Sequence, residues 1–177
     1  NPEKIDWTKT VKTEKWTDCN GNENGSTASV NAAVDSKYLY LKFEEQRKPW
    51  LDQGLWSENV EFFFTADGKF PLYHFACGPK KDGVPTGYIY QLINDDPRQN
   101  PYDFQCRTVS IPANDSWTLL MAFPLDRLPL KDNTMMLDFF RMRHDGKKWD
   151  VSCWQPTYSV SGGKGMDSYG KLFLYPF

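Results

Sequence analysis

The stretch that decides the fold reads Tyr-Leu-Tyr-Leu-Lys-Phe from Tyr38 to Phe43, with apolar Leu39, Leu41 and Phe43 at every second position. Successive side chains of a β-strand point to opposite faces, so this alternation predicts a strand with one face in a core. The run from Thr27 to Val34 precedes it across the short turn Asp35-Ser36. The two runs are therefore predicted to form a hairpin.

The same alternation recurs along the chain. Asn59–Thr65 and Leu72–Cys77 flank the turn Asp67-Gly68, which is a strong hairpin signal. Further strand candidates follow at regular spacing: Gly87–Ile93, Phe104–Ile111, Trp117–Phe123, Met135–Met142 and Gly170–Tyr175. The best helical candidate is a single turn at Leu125–Leu128. The pattern predicts an all-β protein, an antiparallel two-sheet β-sandwich of immunoglobulin-like or jelly-roll-like type with little helix.

Length and charge narrow the class of protein. A chain of 177 residues without an internal linker is predicted to form a single domain over residues 1–177. The net charge of -2 and the lack of a long basic run argue against a nucleic-acid partner. No apolar stretch is long enough for a membrane span. The chain starts Asn1-Pro2 without a signal-peptide pattern, which we interpret as a mature chain or an excised piece.

The cysteines leave their pairing open. Cys19, Cys77, Cys106 and Cys153 contain no C-x-x-C motif, so a zinc or thioredoxin-type site is not indicated. A secreted setting would permit disulfides, in any of three connectivities. Buried thiols are the equally weighted alternative for Cys77 and Cys106, which lie in strand-like runs.

Large aromatic side chains concentrate in two long connections. Aromatic residues make up 16% of the chain, with seven tryptophans, which exceeds the need of one small core. The connection Gln46–Glu58 carries Trp50 and Trp56. The connection His144–Ser168 carries Trp149, Trp154 and Tyr158. Long loops in a compact domain are often functional, so both are candidate ligand-binding segments.

Catalytic motifs are weak by comparison. His74 falls within a strand and His144 precedes a turn, and the chain contains no G-x-S-x-G elbow. Glu61 lies in a run otherwise made of Val and Phe, and Arg141 and Arg143 end the run Leu137-Asp138-Phe139-Phe140. They are either solvent-facing charges or a Glu–Arg pair, or they hydrogen-bond sugar hydroxyls beside loop tryptophans, whose rings stack on apolar sugar faces. The interpretation as a sugar-binding site predicts binding without catalytic turnover.

Four segments in this order resemble the family 9 carbohydrate-binding modules and their DOMON-like relatives. They are Asp35–Phe43, Trp56–Phe63, Ser116–Leu128, and Phe140-Arg141 followed by Trp154-Gln155-Pro156 and Tyr169–Leu172. The resemblance implies a β-sandwich that binds a saccharide or polysaccharide, outside the cytoplasm and within a secreted polysaccharide-processing system.

In the sugar-binding members of this family two tryptophans clamp the sugar, helped by a carboxylate and an arginine. The matching positions here are Trp56, Trp154, Glu61 and Arg141. The resemblance implies no catalytic residue and no obligatory cofactor, although some members bind calcium. This chain departs from the family pattern at Leu120, where a glutamate is usual, and at Asn59, where an aspartate is usual. These departures bear on the identity of the sugar and on calcium.

Two alternatives accompany this interpretation. A haem-binding DOMON-like electron-transfer domain could draw ligands from Met121, Met142, His74 and His144. A spacer or protein-interaction domain would instead place all of the aromatic side chains in the core.

Overall fold

The computed structural model describes residues 1–50, 54–79, 86–94, 100–144, 146–158 and 165–174, with backbone alone at 86–91. The strands are β1 Val11–Thr13, β2 Ala28–Val34, β3 Tyr38–Glu45, β4 Glu58–Thr65, β5 Leu72–Gly78, β6 Thr86–Leu92, β7 Asn100–Pro101, β8 Arg107–Pro112, β9 Trp117–Pro124, β10 Thr134–His144, β11 Trp149–Cys153 and β12 Gly170–Phe173. Short 3-10 turns are Pro2–Lys4, Trp7–Lys9, Leu55–Ser57, Leu125–Arg127 and Met166–Ser168. None of the described helices is long and apolar enough to cross a membrane.

The strands form two antiparallel sheets. The five-stranded sheet has the order β1-β2-β3-β9-β8. The seven-stranded sheet has the order β11-β10-β4-β5-β6-β7, and β12 also pairs with β10. The two sheets stack as a sandwich, which confirms the predicted all-β class.

One core fills the space between the sheets. Leu39, Leu41 and Phe43 of β3 face Phe62 and Phe64 of β4, and all five belong to the same buried cluster. The alternation of β3 therefore places its apolar residues inward, as predicted from the sequence. The inner face of the seven-stranded sheet is the one that carries Phe62, and it lines this core.

The opposite face of the seven-stranded sheet is also covered. An outer cluster of Phe63, Leu72, Leu92, Phe140, Cys153, Met166 and Tyr169 packs on that face. All eight residues of β4 are buried as a result. A strand buried on both faces reads as a continuous apolar run, which explains the sequence Val-Glu-Phe-Phe-Phe in β4.

Three strands were not predicted from the sequence. β1 and β7 are only three and two residues long, too short for an alternating pattern. β11 lies inside the connection His144–Ser168, which is therefore a shorter loop than predicted. Its residue Asp150 pairs with Arg143 of β10, and this register positions the site described next.

Candidate functional site

Arg141 lies on the inner face of the seven-stranded sheet. Its register partner on β4 is Val60, a core residue, and partners across antiparallel strands share a face. Its Nε donates to Glu45 Oε2 of the other sheet at 2.7 Å, and its Nη1 lies 2.8 Å from Asp150 Oδ1. Arg141 and Glu45 are almost completely buried. Arg141 therefore forms an ion pair that bridges the two sheets.

Glu61 lies on the opposite, outer face of the same sheet. Its partner on β10 is Phe140, a member of the outer cluster. Glu61 Oε2 is 3.0 Å from His74 Nε2, and both side chains are buried. The His74 ring stacks on Phe63 with centroids 4.2 Å apart. The structure thus does not bring Glu61 and Arg141 together, because one sheet separates the two side chains.

Trp154 packs against the protein interior. Its indole stacks on Phe139 with centroids 4.9 Å apart and planes inclined by 18°. Its ring also lies against the backbone of Gly170 and leaves no room there for a Cβ. Trp154 is partly buried beside the main core. These contacts are those of a structural aromatic residue that closes one side of the sandwich.

Trp56 is the most exposed of the four predicted residues. It lies in the 3-10 turn Leu55–Ser57, and its residue is 48% exposed. This turn leads into Glu58, which pairs with Arg143 near the end of β10. Trp154 follows β11 and stacks on Phe139, nearer the middle of β10. The two tryptophans thus associate with different parts of that strand.

An open cleft of about 680 Å³ lies at the edge strand β11. Two tryptophans line it, Trp50 from the first long connection and Trp149 from the first position of β11. The remaining lining residues are Asp18, Asn24, Arg47, Arg143, Lys148, Asp150 and Val151. Trp149 is 48% exposed, so much of its indole is open to solvent.

Ion pairs fix the polar groups of the cleft. Arg47 Nη1 donates to Asp150 Oδ2 at 2.7 Å, while Arg141 holds the other carboxylate oxygen. Hydrogen bonds from Arg47 and Arg141, with their positive charges, outweigh the effect of burial and lower the pKa of Asp150. The carboxylate therefore stays ionised and can accept hydrogen bonds from a ligand at neutral pH.

Trp50 and Arg143 hold each other at the back of the cleft. The Arg143 guanidinium lies 3.9 Å from the centroid of the Trp50 ring, within cation–π range. Arg143 Nη2 donates to Lys48 O at 3.0 Å. The Trp50 backbone N–H donates to Glu58 Oε2 at 2.6 Å. Burial, as the largest influence, raises the pKa of Glu58 despite this hydrogen bond and the nearby Arg143.

Arg143 keeps donor capacity free in this arrangement. It is mostly buried, and its Nε has no hydrogen-bond partner among the described residues. A buried donor without a partner costs stability unless something accepts from it.

The candidate haem ligands are dispersed. Met121 lies in the core between the sheets, whereas His74 is on the outer face of the seven-stranded sheet. Met142 also packs in the outer cluster. His144 stacks on Trp149 with centroids 4.4 Å apart. In the described part of the chain, no three His, Cys, Asp or Glu residues group as metal ligands.

The sequence marked the aromatic half of the cleft but not its polar half. Trp50 and Trp149 belong to the two connections in which tryptophans concentrate, and that concentration was the available signal. Arg47 and Asp150 gave no signal, because nothing in the local pattern brings residues 103 positions apart into contact.

Three solved structures have a fold similar to that of this chain. A family 9 carbohydrate-binding module from Caldicellulosiruptor kristjanssonii in complex with cellotriose superposes with a TM-score of 0.65 at 12% identity, covering 97% of this chain and 85% of the other. Its glucose complex gives the same TM-score and identity, with coverages of 100% and 91%. A protein from Bacteroides uniformis ATCC 8492, provisionally described as carbohydrate-binding, gives a TM-score of 0.69 at 15% identity, with coverages of 97% and 89%.

These neighbours confirm the predicted resemblance to family 9 modules at the level of the fold. No protein-family model and no curated protein sequence matches the chain. At such low identity the shared fold does not transfer a site or a ligand. The function is therefore argued from the cleft itself.

Proposed function

We propose that this chain is a non-catalytic carbohydrate-binding domain and that the cleft lined by Trp50 and Trp149 holds the saccharide. The observation that carries the proposal is that Trp50 and Trp149, from remote segments, line one open cleft beside fixed ionic groups. Sugars present apolar C–H faces and a rim of hydroxyls. An exposed indole can stack on an apolar C–H face, and arginine guanidinium groups and carboxylates can hydrogen-bond the hydroxyls.

The roles within the cleft follow from exposure. Trp149 is the stacking platform, because its indole is partly open to solvent. Arg47 and Asp150 hydrogen-bond hydroxyls, since each is partly exposed and already held by the other. Arg141 is a positioning residue that orients Asp150 from behind. Groups fixed before binding lose little entropy when the ligand arrives, which favours recognition.

The absence of turnover is part of the proposal. Glycoside hydrolysis needs two carboxyl groups that flank a bound sugar. The buried carboxylates Glu45 and Glu58 form ion pairs with Arg141 and Arg143, and Glu61 contacts the His74 imidazole. Asp150 is likewise engaged by two arginines. The cleft geometry thus supports binding rather than bond cleavage.

Short β-glucans are the first ligands to test, because the similar modules were crystallised with cellotriose and glucose. The extracytoplasmic location and the role in a polysaccharide-processing system, which the sequence resemblance implies, belong to the same proposal. The site predicted at Trp56, Glu61, Arg141 and Trp154 stays a separate prediction. Of these residues, Trp56 and Trp154 are neither fully buried nor in the cleft lining.

The test is calorimetric titration of the protein with glucose, cellotriose and a panel of other oligosaccharides. Trp149→Ala is expected to weaken binding of the accepted sugar at least about tenfold, because loss of an aromatic anchor commonly costs more than about 1.4 kcal/mol. Trp56→Ala is the matched control, since both tryptophans are 48% exposed. It is expected to leave the affinity unchanged.

Each outcome discriminates between the sites. Loss of binding in Trp56→Ala with full binding in Trp149→Ala would move the site away from the cleft. A protein that binds no member of a broad glycan panel would refute the carbohydrate-binding function. Hydrolysis of any ligand by protein free of contaminating enzyme would refute the non-catalytic assignment.

A further inference from the structure

Cys19 and Cys153 are brought together by a short antiparallel contact between the N-terminal segment and β11. Thr17 and Cys153 exchange two backbone hydrogen bonds, of 3.0 and 2.8 Å. The Cys153 Sγ then points at this segment and lies 3.4 Å from Asp18 O. That oxygen belongs to the peptide bond that joins Asp18 to Cys19. Two cysteines 134 positions apart in the chain are thus brought together.

We propose that Cys19 and Cys153 form a disulfide bond that ties the 17–24 segment to β11. The inference goes beyond sugar binding and does not depend on it. Cys19 lies two residues beyond Thr17, which is directly opposite Cys153, and the contact of Cys153 Sγ with the carbonyl of the Asp18–Cys19 peptide bond brings that sulfur within reach of the Cys19 side chain. The tie would act on the wall of the cleft, because Asp18 and Asn24 line one side of it and Asp150 the other.

The two thiols suit this reaction in different ways. Cys19 is partly exposed and therefore reachable by an oxidant, whereas Cys153 is fully buried. The hydrogen bond from Cys153 lowers the pKa of Cys19 to about 7, so a substantial fraction is thiolate at neutral pH. The same contact raises the pKa of Cys153. Cys19 is thus the attacking thiol and Cys153 the resolving one.

The chemistry balances with a disulfide-bearing oxidant such as oxidised glutathione. The Cys19 thiolate attacks one glutathione sulfur, forms a mixed disulfide and releases glutathione thiolate. Cys153 then loses its proton, attacks the Cys19 sulfur and releases the second glutathione. The protein loses two electrons and two protons in total, and glutathione disulfide is reduced to two thiols.

Cys77 and Cys106 provide an internal comparison. Burial raises the pKa of Cys77 to about 12 and also raises the pKa of Cys106. Neither forms a thiolate readily at neutral pH, so both are expected to stay reduced.

The experiment is thiol mapping of the full chain after incubation with oxidised glutathione. Alkylation in denaturant followed by mass spectrometry should modify two of the four cysteines, and all four after reduction. Tryptic peptides 16–37 and 149–164, which contain Cys19 and Cys153, should appear as one cross-linked species. The variant Cys77→Ala/Cys106→Ala is the matched control and should show the same cross-link.

A second measurement tests the tie itself. The wild-type Tm should fall by about 5–15 °C when reductant is added, because removing a disulfide that closes a long loop destabilises a domain of this size by that order. Cys19→Ser should show no dependence on reductant. Four alkylatable thiols after oxidation, a cross-link joining Cys77 to Cys106, or a wild-type Tm indifferent to reductant would each overturn the proposal.

Discussion

The two faces of the seven-stranded sheet carry similar ionisable residues but treat them differently. On the outer face, Glu61 and His74 pair beneath the outer cluster and are almost completely buried. At the β11 edge, Arg47 and Asp150 form a comparable pair, with side chains 40% and 43% exposed. The same chemistry thus serves packing in one place and is open to a ligand in the other.

Distant chain segments cause this difference. Met166 and Tyr169, which precede β12, pack in the cluster on the outer face, where Glu61 is buried. The edge strand β11 pairs with β10 on one side, and on its other side only Cys153 pairs, with Thr17, among the described residues, so the rest of this edge stays open. The role of a charged residue in a strand therefore depends on whether other chain segments bury its side chain, and the residue type alone does not reveal it.

Among the variants that test this difference between buried and exposed ion pairs, a substitution of Arg141 should change the free energy of unfolding most. Replacing the buried arginine with methionine leaves Glu45 charged, without its cationic partner, between the sheets. Arg141→Met should therefore lower the free energy of unfolding by about 3–5 kcal/mol, as measured by urea denaturation. Arg47→Met is the control, because it removes the exposed partner of Asp150 and should cost less than about 1 kcal/mol. Equal losses in both variants would contradict the contrast.

A smaller effect is expected at Trp154. Its indole stacks on Phe139 and covers Gly170, so Trp154→Ala should lower the free energy of unfolding by about 2–4 kcal/mol. The comparison variant is Trp149→Ala, whose exposed indole should contribute less than about 1 kcal/mol to stability. Titration with the accepted sugar completes the test. A Trp154→Ala protein of wild-type stability that no longer binds sugar would restore the site predicted from the sequence.

Much of the fold was predictable because its signal is local. The alternation of Leu39, Leu41 and Phe43 defines one face of β3 whatever the rest of the chain does. The turn Asp67-Gly68 between two apolar runs likewise predicted the β4–β5 hairpin. β11 was missed because Trp149–Cys153 mixes aromatic, acidic and small residues without a two-residue period.

The candidate site was less predictable because its signal is not local. The order of the motifs drew attention to Glu61 and Arg141. Glu61 pairs with Phe140, the direct neighbour of Arg141, so the two charged side chains lie on opposite faces of the sheet. Glu45 gives no signal of its own in the sequence, because its partner Arg141 lies across the sandwich. Such partners depend on how two sheets stack, which strand periodicity does not encode.

The effect most specific to the covered face concerns Asp138. This residue of β10 is fully buried, and its Oδ1 accepts backbone hydrogen bonds from Phe139 at 2.8 Å and Gln155 at 3.0 Å. Its Oδ2 has no hydrogen-bond partner among the described residues. Burial raises the pKa of Asp138 to about 8, although the two backbone hydrogen bonds act to lower it.

The sign of the pH dependence follows from that shift. In the unfolded chain Asp138 ionises near pH 4, whereas in the folded protein it keeps its proton until about pH 8. The folded state binds more protons between these values, so the Asp138 contribution to stability is complete below pH 4 and is lost as pH rises towards 8. Asp138→Asn keeps the acceptor for both backbone donors but cannot ionise. The variant should become progressively more stable relative to wild type as pH rises from 4 to 8, measured by thermal or urea unfolding. Parallel stability curves for the two proteins would show that Asp138 is ionised in the fold and that the outer face is less sealed than the structure indicates.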